Sequence, residues 1–219
     1  MVARFGSGFR IVESPLLAPR FLRPALPDGP VGAVAFTSET GVEGFRRLSA
    51  GVGITAWCVG PRTAAAAGAA GFRALDGGGS ARAMVERIIA SGVRGPVLVV
   101  RGKDQAVDVA ALLTSAGLET VEAVVYAQDL QPLTEAARAL LDSGSTVVAP
   151  LFSARTAAGL AAFPEVLARR GPLWIASLSD AVARAAAPAR AERAVIAARP
   201  DADALIAAVE VWYGTERQP

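Results

Sequence analysis

Two short stretches carry hydroxyls where a ligand could be held. AFTSETGVEGF (35–45) ends an apolar run at Thr37-Ser38 and then turns helix-like. LFSARTAAGLAAF (151–163) does the same at Ser153, with Arg155 close behind. WIASLSDAVARA places Ser179 at a third such junction. A Ser or Thr there either caps the helix or joins the free N–H groups and positive dipole end of that helix in binding an anion. The residues alone leave both readings open. VLVVRGKDQ sets Arg101, Gly102 and Lys103 at another strand end. A glycine permits close approach of a ligand and the cations attract an anion, or the segment is a surface turn. Tyr126, one of two tyrosines, closes the run VVY. A phenol can donate a hydrogen bond or a proton to a leaving group, or it can anchor a hinge.

The missing residue types narrow the chemistry. The 219-residue chain has no histidine, the commonest general base and transition-metal ligand. Its one cysteine, Cys58, cannot form an internal disulfide and reads as core. No GxGxxG occurs, and GGGS at 77–80 has no lysine behind it, so neither a dinucleotide fingerprint nor a P-loop is expected. Asp104, Asp108 and Glu39 have no pairing that implies acid–base catalysis. A net charge of +2 argues against nucleic acid as a partner. Lys103 is the single lysine, and the high Ala and Arg content is equally what a coding bias produces. No apolar stretch reaches the roughly 20 residues of a membrane span. MVARFGSGFR lacks the apolar core of a signal peptide. A soluble, cytoplasmic protein is the expectation, and one that works without a metal if it is an enzyme.

The elements that must position these residues follow from periodicity. Apolar runs at 32–38, 55–60, 72–75, 97–102 and 121–128 alternate with helical segments near 40–50, 61–70, 81–91 and 104–116. Five strands with intervening helices make a complete doubly wound parallel α/β unit. A second series has helices at 133–143, from 153 onward, from 179 and near the C-terminus, with strands at 146–153, 173–178 and 193–198. FRIVESPLL (9–17) is expected to join this second sheet, because the first is already full. The expected domains are therefore 30–126, and a discontinuous one of 1–18 with 131–219. Pro- and Gly-rich residues 19–29, together with 127–130, form a two-segment linker. A doubly wound unit normally has a strand and helix ahead of the equivalent of FRIVESPLL. The discontinuous domain is expected to lack both, through an unread upstream start or a truncation.

The two series also repeat each other. FTSETGVEGF lies on FSARTAAGLAAF, with Ser38 on Ser153 and Gly44 on Gly159. Downstream, AWCVGPRTAAAA lies on LWIASLSDAVARAA, with Trp57 on Trp174. The serines stand 115 residues apart and the tryptophans 117. Ligands of doubly wound folds bind beyond the carboxyl ends of the strands. Two facing domains would thus make one anion-binding cleft.

The ordered set FTSETGV, CVGPRTAAAAGAAGF, VLVVRG, GLETVEAVVYAQ, LFSARTA and WIASLSDAVARA, from about Ile11 to Trp212, resembles the uroporphyrinogen-III synthase family. No single motif is strong; order and spacing carry the likeness. The resemblance implies two similar Rossmann- or flavodoxin-like domains, one built from both chain ends, joined by two linker segments. It implies closure of linear hydroxymethylbilane, a polycarboxylate, to the macrocycle, with inversion of the last pyrrole ring, loss of water and no cofactor. The bilane would bind between the domains, and positioning would let this closure outrun the uninverted one. Tyr126 stands on the family's VY tyrosine and would assist loss of the hydroxyl. Thr37, Ser38, Ser153 and Ser179 would hold carboxylates, Arg101 and Gly102 match the family's strand-end RG, and Arg155 would pair with a propionate. The implied partners are the substrate and the preceding bilane-forming enzyme, which hands it over to a monomer without nucleic acid or membrane. Relatives carry a threonine where SLSDAVA stands, so that contact falls to Ser179 or is absent. A periplasmic-type binding protein would need a signal peptide. A degenerate domain retained for binding or regulation would have lost the turn hydroxyls, yet Thr37, Ser38 and Ser153 remain.

Overall fold

The computed structural model describes residues 9–49 and 53–215. The chain divides into two compact units. One holds the residues up to Ala18 together with those from Leu130 onward, and the other is Pro19–Asp129.

The Pro19–Asp129 unit alternates strand and helix. After β1 (Leu17–Phe21) come β2 (Ala33–Phe36), α1 (Glu39–Arg46), β3 (Thr55–Cys58), α2 (Pro61–Ala69), β4 (Arg73–Asp76), α3 (Ala81–Ala90), β5 (Val97–Gly102), α4 (Val109–Ser115) and β6 (Thr120–Leu130). The sheet order is β1-β6-β5-β2-β3-β4. β2 pairs in parallel with both β3 and β5. The chain therefore reverses its direction of growth at β2, and a crevice opens where β2 and β5 end.

Alternating side chains assign the two faces. Val34, Phe36, Leu98, Val100, Ala123 and Val125 pack with Val42 and Phe45 of α1 and Ala67 of α2. Ala35, Val97 and Val99 pack with Met84, Val85 and Ile88 of α3 and Val109 and Leu113 of α4. Phe36, Phe45 and Phe72 meet edge-on or tilted, with ring centroids 5.1–6.0 Å apart. This cluster fixes the end of β2, one residue before Thr37.

The second unit contributes α5 (Glu135–Asp142), β7 (Val147–Leu151), α6 (Ala154–Ala161), α7 (Pro164–Leu167), β8 (Leu173–Ser177), α8 (Asp180–Ala186), β9 (Arg193–Ile196) and α9 (Ala202–Thr215). Its three strands run parallel in the order β7-β8-β9. Residues of α5 to α8 share a core with Leu151, Leu173 and Ile175 on one side. Leu205 and Val209 of α9 cover Ala176 on the other. Pro150 lies on β7, an edge strand, where a missing N–H is tolerated.

Three expectations are corrected. FRIVESPLL forms no strand over 9–16, although Phe9 and Leu16 still pack into the cores of this unit. The strand is Leu17–Phe21, which runs into the expected linker and lies beside β6. Leu16 O accepts from Gln131 N at 2.9 Å and Leu22 N donates to Val125 O at 2.8 Å, so one number falls as the other rises and the pair is antiparallel. Pro15 lacks an N–H, and the Ser14 hydroxyl accepts from Thr134 N at 3.1 Å instead, which diverts this segment from a ladder. The helix expected from 104 starts at Val109, because Asp108 is the residue whose carboxylate caps it, accepting from Ala111 N at 2.9 Å. The helix expected after Ser153 breaks at Phe163-Pro164, where proline forces a new start. Among the described residues no helix is long and apolar enough to cross a membrane.

Candidate functional site

The residues that converge do so at the carboxyl ends of β2 and β5. β2 is buried along its whole length, so the first residues able to meet a ligand are Thr37 and Ser38, both half-buried. Ser38 is the N-cap of α1 in extended backbone, its Oγ accepting from Gly41 N at 3.0 Å. Oγ also lies 3.1 Å from the Tyr126 hydroxyl, with either atom able to donate. One serine oxygen thus ties the helix start to the phenol.

Tyr126 reaches Ser38 because β6 breaks its alternation. Arg101 is opposite Val124, but Gly102 is opposite Tyr126, leaving Val125 as an extra residue. Such a bulge re-aims the side chain that follows it. Val121, Ala123 and Val125 face α1 and α2, and Tyr126 packs on the same side instead of the opposite one. Gly102 makes the room: a Cβ there would stand 2.6 Å from Tyr126 Cζ and 2.9 Å from its hydroxyl. Lys103 N donates to Tyr126 O at 2.8 Å and holds the bulge from the neighbouring strand. Gly44 lets α1 approach β6, since a Cβ there would meet Val125 Cγ2 at 2.8 Å.

Arg101 takes a different direction from Gly102. It continues the Val97 and Val99 alternation toward α3 and α4 and makes a two-nitrogen ion pair with Glu122 of β6. Its guanidinium also donates to Gly102 O at 3.0 Å. The Glu122 carboxylate raises the Arg101 pKa above the ordinary arginine value, and burial opposes it. The side chain is 17% exposed and so already committed. Lys103, two residues on, is exposed. Glu39, at the first position of α1, pairs with Arg62 of α2 at 2.9 Å, a contact with no signal in the sequence beyond charge. Cys58, at the end of β3, is fully buried; burial first, then Asp76, pushes its thiol up to about 11. It is no nucleophile near neutral pH.

In the other unit the repeat has the same local build. Ser153 is the N-cap of α6, accepting from Thr156 N at 3.1 Å with Thr156 Oγ1 2.8 Å away. Gly159, like Gly44, is a close-approach glycine, where a Cβ would meet Leu130 Cδ1 at 2.7 Å. Ser179 precedes α8 without a side-chain cap bond. Arg155 is exposed on the first turn of α6. Ser38, Gly102 and Tyr126 are thus brought together in one unit, with Thr37 adjoining. Ser153, Arg155 and Ser179 belong to the other.

A family model described as uroporphyrinogen-III synthase HemD matches residues 5–207. No curated protein matches the chain. Among solved structures, uroporphyrinogen-III synthetase from Helicobacter pylori is similar in fold, with a TM-score of 0.63 at 17% identity over 90% of this chain and 91% of that one. The uroporphyrinogen III synthase of Thermus thermophilus aligns with a TM-score of 0.43 at 14% identity, over 86% and 80% of the two chains. With the family model spanning nearly the whole sequence over a doubly wound fold of this kind, the chain belongs to the uroporphyrinogen-III synthase family.

Proposed function

We propose that this chain cyclises linear hydroxymethylbilane to uroporphyrinogen III, inverting the last pyrrole ring and releasing water. The observation that carries the reading is the Tyr126 phenol, 3.1 Å from Ser38 Oγ at the crevice where β2 and β5 end. In this reading the Tyr126 hydroxyl gives its proton to the departing hydroxyl of the bilane, which leaves as water. The azafulvene cation that remains is attacked by the substituted carbon of the tail ring. The resulting spiro intermediate fragments and recloses with that ring inverted, and a released proton restores the phenol.

The protein's larger contribution is conformational. The uninverted closure needs no enzyme, so the bilane must be held in the geometry that favours attack at the substituted carbon. Substrate carboxylates suit the first-turn N–H groups of α1, where the helix dipole is positive. Ser38 serves both tasks, since its oxygen caps that turn and orients the phenol.

The test is a coupled assay on freshly made hydroxymethylbilane, with oxidation and separation of type I and type III porphyrins. Type III in clear excess over a no-enzyme control is the expected result. No excess would overturn the assignment and leave a synthase-like fold without the activity.

A further inference from the structure

We infer that Lys103 is a substrate-carboxylate contact of this site, in place of the Arg101 that its strand-end position suggests. The inference rests on the synthase reading. Arg101 is held by Glu122 on the α3/α4 side of the sheet, 17% exposed. Lys103 is exposed, and its ammonium has no hydrogen-bond or ion-pair partner among the described residues. Both charged residues near it in the chain, Arg101 and Asp104, are engaged elsewhere. The Lys103 main chain is held to the Tyr126 main chain by its N–H bond to the Tyr126 carbonyl, 2.8 Å. It directly follows Gly102, whose missing Cβ is what lets the Tyr126 ring lie against β5.

The placement suits an ammonium better than a guanidinium. Lysine carries a compact charge on a flexible four-carbon stem and can follow a carboxylate on a mobile chain. A folding bilane changes shape during the reaction, whereas the Arg101 fork is held by Glu122 and the Gly102 carbonyl. At this strand end one fixed cation shapes β5 and β6, and a second remains available to the ligand. Lys103 is a binding residue in this account and takes no part in proton transfer.

Because Lys103 is the only lysine, it can be followed alone. Reductive methylation with carbon-13 formaldehyde labels its amine and the chain's α-amine, which separate by NMR. The probe is uroporphyrin III, a stable polycarboxylate. The Lys103 methyl signal is expected to shift on titration and to stay still with an uncharged porphyrin ester. In steady-state assays Lys103→Met is expected to raise KM about tenfold with kcat within about twofold, as loss of one charge-assisted contact. Lys103→Arg should recover most of that, and Arg94→Met, an equal charge loss at the amino end of β5, should not move KM. A still methyl signal, or an unchanged KM in Lys103→Met of an active enzyme, overturns the inference. An inactive wild type whose methyl signal still responds to uroporphyrin III would fail the synthase reading and leave the carboxylate contact standing.

Discussion

The Tyr126 hydroxyl and the Ser38 Oγ meet at 3.1 Å although 88 residues separate them. The contact joins β6 to the start of α1. It exists only because Val125 is an extra residue and Gly102 has no side chain. The proposed proton donor, the helix cap and the sheet register therefore share one point.

Removing the phenol oxygen separates chemistry from packing. Tyr126→Phe keeps the ring against Gly102, so the fold should hold. We expect type III formation to fall about a hundredfold, the scale of a lost general acid. Rate measurement under saturating hydroxymethylbilane checks it, and an undiminished rate removes Tyr126 from the mechanism.

Gly102→Ala should reach the same step without touching the phenol. A Cβ at 2.6 Å from the ring must push it off Ser38. A stability loss of about 1–3 kcal/mol is the usual cost of such overpacking. The informative quantity is a double-mutant cycle: adding Tyr126→Phe to Gly102→Ala should lower the rate little further. Fully additive losses would show that Gly102 does not act through Tyr126.

The Cys58 thiol, pushed up to about 11 by burial and then Asp76, should resist alkylation. Native protein treated with iodoacetamide at mildly alkaline pH should show no added mass, and unfolded protein should label fully. Rapid labelling of the native state would mean that β3 is open to solvent.

Acid stability should depend on Glu192. Its carboxyl is held below the usual carboxylate range first by the Leu173 N–H, then by Arg169. Leu173 N lies 2.6 Å from one oxygen, and Arg169 spans both at 2.9 and 3.0 Å. A folded-state pKa lowered in this way stabilises above the unfolded value, about 4.3, and that contribution disappears as pH falls through the lower folded value. Glu192→Gln should therefore melt below wild type at neutral pH, and the two curves should converge as pH falls below about 4. A gap that stays constant with pH would refute the assignment.

Local signals explain what could be read from the sequence. Ser38 and Ser153 each close an apolar run three residues ahead of the N–H they cap, which makes the turns legible. The doubly wound class is legible from the alternation of strands and helices, because helices cover each face of the sheet. FRIVESPLL misleads because its apolar residues do pack, while Pro15 and Ser14 divert the backbone bonds. The engagement of Arg101 is not legible locally, because Glu122, its partner, stands on a neighbouring strand 21 residues on. The bulge at Val125 is invisible in VEAVVYAQ, since its cause is Gly102 opposite. Distant partners decide these points, and a window of neighbouring residues contains none of them.

β6 carries two frames. Up to Val125 its odd-numbered side chains face α1 and α2, and with Tyr126 the even position takes over that side. The strand behaves like a message with one letter inserted, read correctly only if both halves keep their own phase. Val125 has no chemistry of its own. Were it to pair with Gly102 in regular register, instead of standing as the extra residue, the phenol would turn toward the side that Arg101 occupies, so register along this strand is under as strict a demand as the identity of its tyrosine.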